Sequence, residues 1–319
     1  MKMKIRPSNG ERVYNEHTEG IPFLSFDMLD RLGIPNLFST RFESYDEERG
    51  TGEVGFRTSL MRGEDIYEVA PVITRSRDRL ARQLGSSVER ECFVDQKHSN
   101  HVIVVKPEDL GRVEPGKLPL HRQFADGMVT DVPDALLTVF GGDCPPVYLA
   151  DPVRKACGLV HAGWRGTLAR IPAVAIAQMV VHFGSDPKDI YAAVGPGICK
   201  DCYEMGDEVY DAFADEWGKE DADHILERYK FGTESEAFKL LKRQNRKQAE
   251  ASEESIRGKY HLDLREANRL TLLQAGVPEN HIVVSNVCTM CNVETFYSYR
   301  AGRMENEQAA MLVNRFSCK

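Results

Sequence analysis

The sequence predicts an α/β fold, because short apolar runs of strand length alternate with longer stretches that have helical periodicity. This alternation is densest between Ala125 and Pro196, where five short apolar runs surround one long apolar stretch. The chain has 319 residues, of which 42% are hydrophobic, and this is enough to bury a substantial core. We therefore expect a large, soluble α/β protein.

The first half of the chain contains one predicted helix and several predicted strands. Residues 37–42 (LFSTRF) form the first strand-like run, and a loop rich in Gly and Glu follows it through Gly55. Apolar residues recur at helical spacing from Asp65 to Gly85, and a glycine at that position is suited to end a helix. The segments ECFVDQKHS and HVIVVK come next, and we expect them to form a pair of strands.

The second half contains a long apolar helix that is predicted to begin near Gly166. Pro172 falls inside this pattern, so we expect either a kink or a first turn that ends there. Further helices are predicted for GDEVYDAFADEW, from Gly206, and for LDLREANRLTLLQAG, which ends at Gly276. The segment HIVVSNV then reads as another strand.

The domain organisation follows from composition along the chain. Residues 1–35 are interpreted as an N-terminal lead-in, and residues 36–319 as a single domain. Residues 218–259 are heavily charged, which indicates an exposed helical insertion rather than a linker between folded units.

Charge and hydropathy exclude some classes of function. The net charge is -8 and no dense run of Lys or Arg occurs, which argues against nucleic acids and acidic membranes as partners. The longest apolar stretch, Ile171–Phe183, is shorter than the roughly 20 residues needed to cross a bilayer. The N-terminal lysines have no apolar run behind them, so an export signal is not expected. We therefore expect a cytoplasmic protein that acts on small molecules.

The chain has eight cysteines, which should be reduced in such a compartment and are more useful for metal binding or catalysis than for disulfides. Cys92 and Cys157 lie in apolar strand-like runs and are interpreted as core residues. Four others form two Cys-x-x-Cys pairs: Cys199, Cys202, Cys288 and Cys291. These pairs could together form a structural zinc site, and the alternative is that all four are reduced thiols in the core or in loops.

Three further metal-competent residues occur where predicted strands meet loops: His98, Cys144 and His161. Two imidazoles and one thiolate suit a catalytic zinc ion that keeps its fourth position open. Taken singly, each residue has a simpler explanation, because a lone Cys is usually a small core residue and a lone His usually makes a hydrogen bond. His101 lies three residues from His98 on a strand-like run, so alternation places it on the opposite face.

Several longer motifs carry a resemblance to a known family: FSTR from residue 38, QKHS, GGDCPPVYLAD, HAGWRG, AVGPGI, CYEMGDEV and FYSYR. In this combination they resemble the YfiH/YlmD family, the laccase-like polyphenol oxidase family of metalloenzymes that act on purine nucleosides. The resemblance implies a four-layer α/β/β/α sandwich with mixed sheets, and zinc on His98, Cys144 and His161. It also implies phosphorolysis of adenosine, inosine, guanosine and methylthioadenosine, with an accompanying adenosine deaminase activity.

Within this family resemblance, other residues receive roles as hypotheses. Arg41, Arg165 and Arg300 are candidates for binding phosphate or substrate, and a surface ion pair is the ordinary alternative for any arginine. Asp143 could act as a catalytic base or orient a ligand, and Gln96 could hydrogen bond the substrate or a ligand. Capping and turn formation are the alternatives for these two residues.

Other functions stay open at this level. A His₂Cys site could hold copper and support a laccase-like oxidation of phenols, although the sequence contains no His-x-His pair. Cys144 and His161 could instead act without metal, as the thiol and base of a hydrolase or deamidase. A non-enzymatic, metal-dependent interaction module and a cell-wall precursor as substrate are further alternatives. The expected partners are purine nucleosides and phosphate, and the protein could be a monomer or a homodimer.

Overall fold

The computed structural model describes residue 5 and residues 13–42, 66–110, 124–228, 260–302 and 306–316. Fifteen strands occur in these ranges: β1 Tyr14–His17, β2 Phe23–Phe26, β3 Asn36–Ser39, β4 Glu91–Phe93, β5 Val102–Val104, β6 Gly127–Thr130, β7 Leu136–Gly141, β8 Pro146–Asp151, β9 Ala156–His161, β10 Tyr191–Val194, β11 Glu204–Met205, β12 Leu226–Arg228, β13 Tyr260–Leu262, β14 Ile282–Val284 and β15 Gln308–Val313. The α-helices of the same ranges are α1 Asp27–Arg31, α2 Ile66–Gln83, α3 Trp164–Leu168, α4 Ile171–Phe183, α5 Asp207–Trp217, α6 Lys219–Ile225 and α7 Leu264–Gln274. Within the same ranges, no helix is both long and apolar enough to span a membrane.

Two six-stranded sheets and one small sheet organise these elements. The first sheet has the order β1-β2-β3-β15-β7-β4, and the second has the order β14-β10-β8-β9-β6-β5. Both are mixed: their central strands are antiparallel, whereas the β4–β7, β5–β6 and β10–β14 pairs are parallel. A three-stranded sheet, β11-β13-β12, lies apart from them. The expected α/β class with mixed sheets is confirmed.

The two large sheets pack face to face and each is covered outside by a helix. Phe38 and Val139 of the first sheet share a core cluster with Tyr148 and Leu159 of the second. Leu80 of α2 packs in a separate cluster on the outer face of the first sheet, and Ile176, Met179 and other α4 residues pack on the outer face of the second. The order of these clusters agrees with the α/β/β/α layering that the resemblance implies. It also explains why β7, β8 and β9 are buried at every position, since both faces of each strand are covered.

Two sequence-based expectations differ from the observed strand pairing. The segment before residue 36 was expected to be a lead-in, but β1 and β2 within it pair with each other and β2 pairs with β3. The segments around β4 and β5 were expected to pair, but β4 lies in the first sheet and β5 in the second. Local periodicity identifies a strand without specifying its partner, because pairing is set by contacts that are distant in sequence.

The long apolar helix is divided just before the proline, at Ala169 and Arg170, whereas a kink or the end of a first turn was expected at Pro172 itself. Helix α3 ends at Leu168, and Arg170 adopts a left-handed conformation with a φ of 54° before α4 begins. Pro172 lies in the first turn of α4, where its missing N–H needs no helical partner. The expected helices over GDEVYDAFADEW and LDLREANRLTLLQAG correspond to α5 and α7. The expected helical insertion falls largely on residues 229–259, which lie outside the described ranges.

A buried ion pair fixes α2 against the first sheet. The guanidinium of Arg77, in α2, donates to both carboxylate oxygens of Glu91, in β4, at 3.0 and 2.5 Å. The two side chains are 2% and 0% exposed, and the guanidinium also lies 4.1 Å from the centre of the Phe93 ring. Two parallel charge-assisted hydrogen bonds offset the cost of taking both charges out of water.

We predict that Glu91→Ala strongly destabilises the protein, because it leaves the Arg77 charge buried without its carboxylate. Loss of one partner of a buried pair costs about 3–5 kcal/mol. Asp78→Ala is the matched control, since Asp78 pairs on the same helix with Arg82, whose side chain is 71% exposed. An exposed pair contributes less than about 1 kcal/mol. Urea unfolding of both variants measures the difference, and equal losses would contradict this assignment.

Candidate metal centre

The predicted ligands lie where the chain passes between the two large sheets. His98 lies in the connection from β4 of the first sheet to β5 of the second, and Cys144 in the connection from β7 to β8. His161 is the last residue of β9 and pairs in register with Pro146 at the start of β8. Both crossovers and the end of β9 therefore meet at one edge of the sandwich.

The three side chains converge there. Ligand atoms from His98, Cys144 and His161 all lie within 4.8 Å of one another. The two imidazole rings are 4.9 Å apart between centroids and nearly perpendicular, at 80°. His161 is buried, Cys144 is half-buried and His98 is exposed, so the cluster is closed on its inner side and reached from outside. This donor set and its open side fit a metal ion that retains an exchangeable position.

Gly163 leaves room for the cluster. A Cβ atom built at Gly163 would lie 2.7 Å from Cδ2 of His98, 3.0 Å from Sγ of Cys144 and 3.6 Å from Cε1 of His161. The φ angle of Gly163 is -67°, which any residue can adopt, so a glycine is needed here for space and not for backbone conformation. The glycine of HAGWRG is thus part of the site.

Asp126 is the hydrogen-bonding centre beneath the ligands, and sequence reasoning did not assign it a role. Its Oδ1 accepts from Nδ1 of His161 at 2.9 Å and from the backbone N–H of His98 at 2.9 Å. Its Oδ2 accepts from the backbone N–H groups of Lys97 and Ser99 and from the Ser99 hydroxyl. Such a carboxylate selects which imidazole nitrogen is left to bind a metal. The segment ADG (residues 125–127), whose aspartate directly precedes the buried strand β6, contained the signal that could have identified this residue.

The same contacts hold His98 in an uncommon backbone conformation. His98 has a φ of 60°, in the left-handed region that non-glycine residues seldom occupy. Three successive N–H groups, from Lys97, His98 and Ser99, point at Asp126, and this reversal of the chain requires the unusual angle. Strain at a residue that also supplies a candidate ligand is typical of a functional site.

The electrostatics favour a thiolate beside an imidazolium when no metal is bound. Burial acts to raise the pKa of Cys144, but the positive charge and hydrogen bonds of His161 and His98 lower it to about 7. Burial acts to lower the pKa of His161, but the negative charge of Cys144 and the hydrogen bond to Asp126 raise it to about 10. The thiolate, which is the form that binds metal ions, is therefore accessible near neutral pH.

Asp143 lies beside Cys144, but its carboxylate faces another loop. Its Oδ1 accepts from the hydroxyls of Thr289 and Ser298 at 2.6 and 2.8 Å, and its Oδ2 accepts from the backbone N–H of Arg300 at 2.7 Å. Burial raises the pKa of Asp143, and these three hydrogen bonds oppose that rise. This arrangement orients the loop that carries Arg300, and a role for Asp143 as a base stays a prediction.

Two of the predicted arginines are held by neighbouring aromatic rings and backbone groups. The guanidinium of Arg300 donates to the carbonyl oxygen of Glu204 at 2.9 Å and lies 5.1 Å from the centre of the Tyr203 ring. Arg165 is exposed, in the short helix that follows His161, and its guanidinium lies 4.3 Å from the centre of the Trp164 ring. Both cations are therefore held by their neighbours while keeping further N–H donors for a ligand.

Gln96 and Arg41 are positioned differently from the other candidates. The Gln96 amide exchanges two hydrogen bonds with the backbone of Phe140, at 2.7 and 2.8 Å, and the residue is 5% exposed. It thus links the β4–β5 crossover to the end of β7. Arg41 is 8% exposed and its backbone N–H donates to the carbonyl oxygen of Thr295. Substrate contacts for both residues stay predictions.

Tyr203 is a second residue that sequence reasoning missed. Burial, followed by the negative charge of Cys144, raises the pKa of its hydroxyl. The positive charges of Arg300 and Arg165 act in the opposite direction. The phenol therefore lies within electrostatic reach of the thiol ligand and of both arginines. His101, by contrast, is exposed and bonds through Nδ1 to the carbonyl oxygen of Phe124, consistent with its exclusion from the ligand set.

We predict that Gly163→Ala abolishes metal binding at this cluster while the protein stays folded, because the added Cβ meets two ligand side chains at 3.0 Å or less. Gly184→Ala is the control, because its added Cβ makes only ordinary contact with Arg154. The φ of 69° at Gly184 strains an alanine there. That strain costs about 1 kcal/mol. The control should lower the melting temperature and keep its metal, and metal analysis with thermal unfolding tests both. Undiminished metal binding by Gly163→Ala would contradict the proposed role of Gly163.

The chain is similar to proteins of known family. A family model described as multi-copper polyphenol oxidoreductase laccase matches residues 58–240 and 225–313. The chain is 32% identical over 279 residues to purine nucleoside phosphorylase YlmD of Geobacillus stearothermophilus, which covers 86% of this chain and 89% of that protein. It is 33% identical over 238 residues to adenosine deaminase RL5 of an unknown prokaryotic organism, covering 75% and 78% respectively.

The fold is also similar to solved structures. The crystal structure of the hypothetical protein YfiH of Bacillus licheniformis superimposes with a TM-score of 0.74 at 25% sequence identity. The match covers 94% of this chain and 98% of that one. The family model covers most of the chain, and the relatives align over most of their own length. The chain therefore belongs to the YfiH/YlmD family, the family described as multi-copper polyphenol oxidoreductase laccase.

Proposed function

We propose that the protein is a zinc-dependent purine nucleoside phosphorylase with adenosine deaminase activity. The observation that carries this proposal is the His98, Cys144 and His161 cluster, which is open to solvent on one side and is followed four residues later in the chain by the exposed Arg165. The names of the relatives, purine nucleoside phosphorylase and adenosine deaminase, supply the reaction classes. Adenosine, inosine, guanosine and methylthioadenosine are the proposed substrates.

The donor set supports zinc as the metal. Two neutral imidazoles and one thiolate are ligands that zinc accepts readily, and three protein ligands are typical of a catalytic zinc site. When bound, such an ion supplies a Lewis acid with a position left for water or substrate. Asp126 keeps Nδ1 of His161 occupied, so Nε2 is the nitrogen that remains for the metal.

Phosphorolysis requires an anion-binding surface beside the sugar. Phosphate attacks C1′ as the bond from C1′ to the purine nitrogen breaks, and the purine leaves with that electron pair. Arg165 and Arg300 are proposed to hold the phosphate, since a guanidinium binds phosphate oxygens through charge-assisted, often bidentate hydrogen bonds. Asp143 holds the backbone of Arg300 and thereby positions one of the two cations. Arg41 and Gln96 are proposed as supporting residues of this surface.

The same site is proposed to deaminate adenosine. This reaction requires a water aimed at C6 of the purine and a base to accept its proton. The open side of the cluster allows the purine edge to approach. Asp126 keeps the imidazole of His161 fixed in orientation, which limits the reorganisation needed during the reaction.

A metal-free hydrolase is a second candidate, favoured by one specific observation. The Cys144 thiol, the His161 imidazole and the Asp126 carboxylate form a chain in which His161 bonds to Asp126 at 2.9 Å. A thiol with a pKa lowered to about 7, next to a base that is itself oriented by a third group, is the arrangement of cysteine hydrolases. This candidate predicts that catalysis survives complete removal of metal.

A copper-dependent polyphenol oxidase is weaker as an alternative. Oxidases that reduce oxygen with several copper ions need several histidine-rich sites. Among the residues that the structure describes, two groups could hold a metal ion, and one of them consists of cysteines alone. The other contains two histidines. Copper could occupy that single site, since affinity at N and S donors favours Cu²⁺ over Zn²⁺.

We predict that zinc-loaded protein releases adenine from adenosine, and hypoxanthine from inosine, only when phosphate is present. Cys144→Ala should lower both phosphorolysis and deamination by at least about 100-fold, since changes even outside the ligand shell cost 10–100-fold. Chromatography of the products measures both reactions. Cys157→Ala is the matched control, because it removes a buried thiol in β9 that lies outside the cluster.

The outcomes separate the candidates. No free base and no deaminated nucleoside from the zinc-loaded protein would rule out the purine assignment. Full activity after chelation, lost on alkylation of Cys144, would instead support the metal-free hydrolase. Oxidation of a phenol by copper-loaded protein, without any nucleoside turnover, would support the laccase-like alternative.

We further predict that Asp126→Asn weakens zinc binding and turnover by about 10–100-fold. An amide lacks the charge that orients His161, and its NH₂ group faces backbone donors that need an acceptor. Asp131→Asn is the control, because Asp131 is exposed and directly follows strand β6, which Asp126 precedes. This variant should leave zinc affinity and turnover unchanged. Competition with a chromogenic chelator gives the zinc affinity. An unaltered affinity in Asp126→Asn would show that His161 is oriented by other contacts.

A further inference from the structure

We propose that the four cysteines Cys199, Cys202, Cys288 and Cys291 form a second metal site, a structural zinc ion held by four thiolates. Their sulfur atoms all lie within 4.8 Å of one another. This inference does not depend on the proposed function, because it concerns a cluster that is separate from the His98, Cys144 and His161 ligands. We call this cluster the four-thiol cluster.

The topology of the second sheet brings the two Cys-x-x-Cys pairs together. Strands β10 and β14 are parallel neighbours, with Val194 opposite Val284, so the chain leaves both strands at the same edge. One pair follows each strand after a few residues. An isolated parallel bridge between Gly197 and Cys288 then keeps the two outgoing segments side by side. Convergence of the pairs therefore follows from strand order and not from their separation in sequence.

The spacing of the sulfur atoms fits a single tetrahedral ion. A zinc–sulfur bond of about 2.3 Å gives neighbouring thiolates a separation of about 3.8 Å in a tetrahedron. Sγ of Cys202 and Sγ of Cys291 are 3.4 Å apart, close to this separation. A cluster of several iron and sulfide atoms would hold its four thiolates farther apart than one ion does. One disulfide would join two of the four sulfurs and leave the others without a role.

Backbone donors point at the sulfur of Cys288. The N–H groups of Cys199 and Cys291 lie 3.2 and 3.4 Å from Sγ of Cys288. A neutral thiol is a weak acceptor, so two N–H groups directed at one sulfur favour a thiolate there. Cys199, Cys202 and Cys288 are buried and Cys291 is exposed. Four protein ligands leave no coordination position open, and this is the arrangement of structural and not of catalytic zinc.

The four-thiol cluster is linked to the candidate metal centre through Asp143. The backbone N–H of Ile198, next to Cys199, donates to the carbonyl oxygen of Asp143 at 2.8 Å. The hydroxyl of Thr289, next to Cys288, donates to Oδ1 of Asp143 at 2.6 Å. Each cysteine pair is thus adjacent to a residue that holds Asp143, which precedes the ligand Cys144. An ion that joins the pairs would hold these two segments at a fixed distance and keep the Asp143 loop in place.

The test is the zinc content of the full chain, purified with a thiol reductant and without added metal chelator. We expect two zinc ions in the unaltered protein, one in Cys144→Ala, and none in Cys144→Ala combined with Cys291→Ala. Cys291 is the site of choice because its side chain is exposed, so its loss leaves the core intact. Cys144→Ala combined with Cys157→Ala is the matched control and should keep its one ion.

A spectroscopic measurement on the Cys144→Ala protein identifies the type of ligand directly. Cobalt(II) added to metal-free Cys144→Ala protein should give the intense visible bands of a tetrahedral ion and the near-ultraviolet charge-transfer band of cobalt thiolates. Both should disappear in the Cys291→Ala combination. Zinc should displace the cobalt in proportion to the amount added.

Three results would overturn the proposal. The first is a Cys144→Ala protein that binds neither zinc nor cobalt under reducing conditions. The second is a disulfide between Cys202 and Cys291 in freshly purified protein, seen as a mass lower by two hydrogens. The third is iron in place of zinc. None of these measurements uses a nucleoside, so their failure is distinct from failure of the proposed enzymatic activity.

Discussion

The buried carboxylate of Asp126 is the interaction on which the site depends. It accepts from the imidazole of His161 and from three successive backbone N–H groups around His98, so it fixes both imidazole ligands. Burial works against the ionised form, yet the hydrogen bonds and the charge of His161 hold the pKa of this carboxyl well below its usual range. The residue combines a structural role, since it closes the β4–β5 crossover, with an electrostatic one beside the thiol ligand.

The connections between the two sheets position the other residues of the site. Two crossovers between the sheets carry His98 and Cys144, and a third connection, from β14 to β15, carries the residues that hold Asp143. Crossovers must turn at the edge of the sheets, where backbone groups are free to bond to side chains. The polar residues of the site therefore lie at the edge of the sandwich and not in the apolar core between the sheets.

The sequence predicted the longer helices, most strands and the three candidate ligands, because each is marked by local periodicity or by a motif. Asp126 and Tyr203 were missed because their importance arises from partners far away in sequence. The strands before residue 36 were missed for the same reason, as their burial comes from pairing with β3. The two cysteine pairs could be recognised singly, but their convergence required the parallel pairing of β10 and β14.

The placement of ligands on crossovers has a thermodynamic consequence. Residues from both connections must stay together for an ion to bind, so docking of one sheet on the other and occupancy of the site are linked equilibria. An ion that binds more tightly when the two sheets are packed together than when they are apart stabilises their interface. This holds even though none of its ligands belongs to the apolar layer between the sheets. Local opening of that layer should therefore weaken the binding of the ion.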